Sequence, residues 1–285
     1  MRTGVRPSIL ALGVAAALVL LVAMRTGVAG QEQTGYTAPR LPGTVHPDLN
    51  GVYQAFTTAN WDILTHAAEA GPVPSLGAWF VMPGGLGIVE GNEIPYQPWA
   101  LEKKQENFAQ RLEADPYDRA LGDSELKCFM PGVPRATYMP YPFQILQGSS
   151  KYLLIAYEFA NTSRVIHFDD LEPSGVESWM GESRGSWEGD TLVVDVRGLN
   201  EMTWFDRAGN FHSDALHVVE RYTPLTPYHL MYEATIEDPN VFTRPWKIRF
   251  PLYRRMEPGA RLMEFNCVDF ADEVLYGRFR AQPSK

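Results

Sequence analysis

His212, Asp214, His217, Glu220 and Arg221 fall within one short stretch, NFHSDALHVVERY, residues 210–222. Three chemistries suit such a set: holding a metal ion, moving a proton, or satisfying backbone groups in a turn. Zinc sites built on a helix place two histidines four apart, so that both rings share one face. Here the histidines are five apart, and from Leu216 onward the residues alternate as in a strand. His217, Val219 and Arg221 then share one face, and Leu216, Val218, Glu220 and Tyr222 share the other. His217 and Glu220 point apart, and no metal is expected. His212 and Asp214, in the turn before the strand, can still aim together, or they can serve the backbone, as Ser213 and Asp214 often do in turns.

The acid–base reading starts from His217, since imidazole titrates near neutrality with an unperturbed pKa of about 6.5. A buried arginine must be paired. If Arg221 is buried beside His217, acids must reach the pair from neighbouring strands, and Asp195 and Glu233 are the candidates. His217, Arg221, Asp195 and Glu233 are therefore expected to be the catalytic set, in the mouth of a cavity. Residues with large rings or polar tips supply the expected ligand contacts: Arg135, Tyr138, Tyr141, Tyr157, Trp179, Arg184, Trp204 and Asp206, together with His212 and Asp214. The same aromatics also suit a filled core.

The elements that must position these groups are mostly strands. DLNGVYQAF (48–56) opens the set. FQILQG and KYLLIAYEF follow, with a turn at 148–150, and then SRVIHFD. RGSWEGDTLVVDVRGL reads as a hairpin turning at Glu188–Gly189–Asp190, and ALHVVERYTPLTPYHLMYEATIED as another, turning through Pro224 and Pro227. WKIRFPLYRR and ARLMEFNCVDF complete about ten strands. Leu192, Val194 and Val196 alternate with Thr191 and Asp195, and Leu230, Tyr232, Ala234 and Ile236 alternate with Met231, Glu233 and Thr235. Short, evenly spaced strands predict a mainly β protein, an antiparallel barrel or sandwich. One good helix is expected over 97–114, after Pro98, with a shorter one over 60–70. Residues 71–92 read as an irregular, glycine-rich cover. MPGVPRATYMPYPF, after Cys128, reads as extended. Arg244 is expected to pair with an acid near the Glu237–Asp238–Pro239 turn.

The first thirty residues differ from the rest. Arg2 and Arg6 precede a sixteen-residue apolar run, Ile9–Met24, and small residues lead up to Gln31. This is the pattern of a secretory signal peptide. The run is shorter than the roughly 20 residues a spanning helix needs, so a retained anchor is the alternative. The expected organisation is a signal peptide over 1–30, a loose mature terminus over 31–47 and a single barrel domain over 48–285, exported to the periplasm or beyond. Cleavage would remove Arg2, Arg6 and Arg25 and no acid, taking the net charge from −9 to −12. Nucleic acid is not an expected partner for so acidic a surface, and no membrane insertion is expected after cleavage. In an oxidising compartment Cys128 and Cys267 are expected to form a disulfide, with two buried thiols as the alternative.

The run C-x-x-PGVPR, PYPFQI, SWMG-x-SRG-x-WEGDTLVVD, TWFDRAGNFHSDALHVVERY, IEDP-x-VFTRPW and EF-x-C, spanning about residues 48–275, resembles a large family of exported bacterial proteins with no established activity. The resemblance implies export and a calycin- or lipocalin-like barrel, and it brings no catalytic residue with it.

The sequence holds no GxSxG elbow, no GxGxxG after a strand and no P-loop, and no cofactor is expected. Asp169 and Asp170 are adjacent and would face opposite sides of a strand, which is poor geometry for a glycosidase pair. The expected function is an exported barrel that binds an apolar or aromatic small molecule in an interior cavity, with or without cofactor-free acid–base chemistry. The alternatives are a lyase, isomerase or hydratase using His217 with its neighbouring acids, and a structural envelope protein with no ligand. The cysteine reading predicts that denatured, unreduced protein has no thiol reactive to Ellman's reagent and that reduction exposes two; two reactive thiols before reduction would contradict it.

Overall fold

The computed structural model describes residues 36–71, 81–111, 122–169, 172–268 and 278. The expected signal segment lies outside the described residues. Ala38–Lys285 form one unit and Met1–Thr37 another. Among the described residues nine strands pair in chain order: β1 (Gly51–Ala55), β2 (Phe143–Leu146), β3 (Tyr152–Tyr157), β4 (Ser163–His167), β5 (Glu182–Glu188), β6 (Thr191–Arg197), β7 (His217–Thr226), β8 (His229–Glu237) and β9 (Trp246–Arg254). β9 returns to β1 through Tyr53↔Arg254 and Ala55↔Leu252, so the sheet closes into a barrel. The protein is thus mainly β, as expected. One pair departs from the antiparallel pattern: β4 and β5 run parallel, joined only at Ile166↔Ser183 and His167↔Arg184. Parallel neighbours need a long crossover, and residues 168–181 supply it.

Three local expectations fail for physical reasons. ARLMEFNCVDF makes no strand over residues 260–268, because β9 already pairs with β1 and a closed barrel leaves no edge to extend. Residues 60–70 make turns and bridges rather than a helix. The Asp62 carboxylate accepts the Leu64 N–H at 2.8 Å and Asp206 accepts the Ile63 N–H at 2.9 Å, and side chains that take backbone donors in this way compete with helix formation. The expected extended tract after Cys128 contains a helical turn, α2 (Arg135–Tyr138), whose four residues are all buried.

The main helix, α1 (Pro98–Gln110), does form, with Pro98 at its first turn. Its large apolar residues Trp99 and Leu101 are exposed, and the helix buries Ala100 and Asn107. Asn107 donates to the Gly209 carbonyl at 3.2 Å. Only glycine fits there: φ is +81°, and a Cβ would stand 2.8 Å from that of Asn107. Among the described residues no helix is long and apolar enough to cross a membrane. Cys128 and Cys267 are disulfide-bonded with Cα atoms 5.7 Å apart, tying the C-terminal tract to the turn Ser124–Lys127.

Strand alternation decides what the barrel holds. Phe143 and Ile145, Leu153, Ile155 and Tyr157, Leu192, Val194 and Val196, Leu230, Tyr232, Ala234 and Ile236, and Ile248, Phe250 and Leu252 are all buried. Among these apolar side chains sits one ion pair, between Arg164 of β4 and Glu220 of β7. Arg164 Nη2 donates to Glu220 Oε1 at 2.9 Å, and Nη1 lies 2.7 Å from Oε2. The guanidinium also donates to the hydroxyls of Tyr157, Tyr222 and Ser183 at 3.0, 2.9 and 3.3 Å. Tyr222 and Tyr232 donate to Glu220 Oε1 at 3.0 and 2.7 Å. Burial raises the phenol pKa of Tyr157, Tyr222 and Tyr232, which keeps them protonated.

Removing one partner of a buried pair leaves an uncompensated charge and costs about 3–5 kcal/mol. Glu220→Ala is therefore expected to lower unfolding stability by about that amount in urea titrations, and Arg164→Met combined with Glu220→Leu to recover part of the loss. A Glu220→Ala loss below about 1 kcal/mol would contradict the network's weight.

Candidate functional site

The cleft that best combines volume with chemistry lies in the barrel wall, where β4 and β5 separate. The tract entering β5 is hydrogen-bonded on its other side: Ser178 donates its N–H to the Gly198 carbonyl and accepts from the Asn200 N–H, both at 2.9 Å. Gly181 turns the chain there at φ +63°, where a Cβ would meet the Arg197 carbonyl at 2.6 Å. The tract is thereby held toward β6 while Ser163–Val165 stay with β3, and a cleft of about 580 Å³ opens between them. Ligand pockets commonly have about 300–1,000 Å³.

Met130, Val165, Trp179 and Met180 give the cleft its apolar walls, while Arg164 and Ser183 reach it from the interior network and His167 and Arg184 from the outer face. Trp179 is half-buried, its ring 5.0 Å from that of Phe129. The crossover loop is pinned at the rim, where Glu182 Oε1 accepts the Ser174 N–H at 2.8 Å. These hydrogen bonds hold the Glu182 carboxyl below its usual range.

A second polar cluster is built around α2. Arg135 uses all five of its donors. Nε bonds Asn60, Nη1 bonds Asp123 and the Trp204 carbonyl, and Nη2 bonds Asp123 and Glu125, over 2.6–3.3 Å. Arg207 clamps Glu125 from the other side at 2.7 and 2.8 Å. Burial alone would raise the Glu125 pKa, but Arg207, Arg135 and Asn60 overcome it and bring it down to about 2. Nearby, Asp206 is fully buried and accepts N–H donors from Ile63, Ala208 and twice from Asn210. Its burial, with the charge of Asp62, outweighs these bonds and pushes its pKa up to about 7.

The expected site residues are scattered over the fold. Trp179 and Arg184 line the cleft. Tyr157 belongs to the interior network. Arg135, Tyr138, Trp204, Asp206 and His212 gather around α2, where Tyr138 donates to the Phe205 carbonyl at 2.6 Å and the His212 ring lies 5.3 Å from that of Phe205. His212 is buried with both nitrogens engaged: Nδ1 faces the Ser213 carbonyl at 2.8 Å and Nε2 the Thr203 hydroxyl at 2.7 Å. Its burial lowers its pKa. Tyr141 sits on the rim between Phe159 and Phe265, where burial raises its phenol pKa. Asp214 is exposed in a turn.

The expected catalytic residues lie on the outer face of the barrel, where His217 meets Asp195 while Arg221 and Glu233 pair outside the set. His217 Nε2 meets Asp195 at 2.8 Å and Nδ1 faces Glu237 at 3.3 Å. Arg221 pairs with Glu188 at 2.7 Å, and Glu233 with Arg249 at 3.4 Å. The alternation along β7 is as expected; the faces are exchanged, and Val218, Glu220 and Tyr222 point inward. The apolar character of Leu216, Val218 and Tyr222 already marks that face as the buried one, with Glu220 as the charge it must carry. Arg164 and Glu220 were thus missed as a pair, although Arg164 likewise alternates with the outward Val165. Arg244 approaches Glu93 at 4.0 Å rather than an acid of the Glu237–Asp238–Pro239 turn.

No known family's sequence pattern matches the chain. No curated protein matches it either. A solved structure of a mutant of the fluorescent protein UnaG is similar at 15% identity, covering 41% of this chain and 73% of that one with a TM-score of 0.24. A likeness that slight carries no argument about this chain.

The Glu125 cluster predicts a pH dependence. A carboxylate depressed from 4.5 to about 2 adds stability above its ordinary pKa, and that stability is lost as pH falls toward 2. The difference is worth about 3 kcal/mol. Asp206, with its pKa raised, acts with the opposite sign, favouring the fold below its ordinary 3.8 and losing that contribution as pH rises toward 7. Glu125→Gln should therefore be less stable than the parent at pH 5 and show a shallower loss between pH 5 and pH 2.5 in urea titrations. Parallel curves for the two proteins would contradict the assignment.

Proposed function

We propose that the barrel binds a small molecule with an apolar or aromatic body in the cleft between β4 and β5. The observation that carries this reading is the splayed parallel pair. It opens a space of ligand size with Trp179, Met130, Met180 and Val165 along its walls and a rigid polar floor at Arg164 and Ser183. The barrel interior, where a ligand was expected from sequence, is a poorer candidate. Its axis is taken up by Tyr157, Tyr222, Tyr232, Phe143 and Phe250, all buried against one another. Acid–base chemistry centred on His217 has less support than binding, because His217 lines neither this cleft nor a second one formed by Phe56, Trp61, Leu86 and Ile88. Export completes the reading, and the Cys128–Cys267 disulfide supports it, since such bonds persist in oxidising compartments.

Val165 points outward and is partly exposed, so enlarging it fills the cleft without disturbing the core. Phenylnaphthylamine, a neutral aromatic probe that fluoresces in apolar surroundings, is expected to bind saturably to the parent protein, and Val165→Trp to weaken it at least tenfold with little change in melting temperature. Equal affinity in the two proteins would overturn the location of the site.

A further inference from the structure

We infer that the ligand of this cleft is an anion, a compact acid on an apolar body, and that Arg184 holds its charged head; the inference rests on the cleft being the binding site. The β4–β5 register sets His167 and Arg184 side by side. Ile166 and Ser183, the other paired residues, are buried in the wall, so His167 and Arg184 share the outer face at the rim of the cleft. Among the described residues the Arg184 guanidinium takes no hydrogen bond and no carboxylate within ion-pair distance.

Most described arginines of this acidic chain are paired with a carboxylate. Acids outnumber bases 34 to 25, and Arg135, Arg164, Arg197, Arg207, Arg221 and Arg249 all have carboxylate partners. Glu182, the acid nearest along the strand, accepts the Ser174 N–H instead and acts on Arg184 only through space. Arg164, at the floor, is already committed to Glu220. Among the described residues Arg184 is thus the guanidinium at this cleft with its donors unspent, lining the same space as the apolar walls. A planar fork of N–H donors suits a carboxylate or sulfonate, which it binds through two parallel charge-assisted hydrogen bonds.

Anilinonaphthalene sulfonate and phenylnaphthylamine share one aromatic body and differ in the sulfonate, so together they separate the head from the walls. In fluorescence titrations of the full-length protein, Arg184→Gln is expected to weaken the sulfonate about tenfold or more and to leave the neutral amine unchanged, with Arg184→Lys between the two. Trp179→Ala is expected to weaken both probes. If Arg184→Gln leaves the sulfonate unchanged while Trp179→Ala weakens both, the cleft binds ligands but the anionic head is wrong. If Trp179→Ala leaves both unchanged, the binding site itself is misplaced and the anion assignment falls with it.

Discussion

A charged pair inside a β-barrel constrains everything around it. Neither Arg164 nor Glu220 can remain ionised in an apolar interior alone, because desolvation costs several kcal/mol for each. They are stable only because β4 and β7, distant in sequence, bring them together and three tyrosines and a serine add hydrogen bonds to the pair. Shifting either strand by one residue would turn one member of the pair outward. The network thereby ties the register of β4 to that of β7 across the interior. This matters because β4 is joined to β5 by only two residue pairs, the weakest seam in the closed sheet.

The cleft follows from that seam. β4 is held from inside by Arg164 and from β3 by a full antiparallel ladder, while the tract entering β5 is bonded to Gly198–Asn200. Both sides of the gap are thus held apart by backbone hydrogen bonds to other neighbours. Placing the pocket in the wall also resolves the conflict between a filled interior and a barrel with room for a ligand. The cluster around Arg135 acts elsewhere. It fastens α2 to the loops bearing Asn60, Asp123 and Glu125, and the disulfide secures the same region to the C-terminal tract.

Much of the barrel is legible in the sequence because strand alternation is a local signal. Leu192, Val194 and Val196 of β6 and Leu230, Tyr232, Ala234 and Ile236 of β8 share a buried face as read, and the turn at Glu188–Gly189–Asp190 forms. The site was less legible. Alternation along β7 tells which residues share a face, but not which face is inside, and the polar residues of NFHSDALHVVERY drew attention to the wrong one. Glu220 was hidden by its own burial, since an acid among Val218 and Tyr222 looks like an interruption until its arginine is known. That arginine is 56 positions away, and nothing local to SRVIHFD announces the pairing. The parallel β4–β5 junction was equally out of reach, because the described residues of the crossover, 168–169 and 172–181, form no helix to signal it. Trp179 and Arg184 were singled out for their side chains alone, and the structure brings both to the cleft.

The central claim is that the splayed β4–β5 seam is where a ligand sits. A crystal structure of the protein soaked with phenylnaphthylamine tests it most directly. The account predicts electron density for the rings between Val165 and Trp179, over Arg164 and Ser183, with the Arg164–Glu220 pair unmoved. Density among Tyr157, Tyr222 and Tyr232 in the barrel interior, or against Trp61 and Leu86 with the β4–β5 cleft empty, would contradict it.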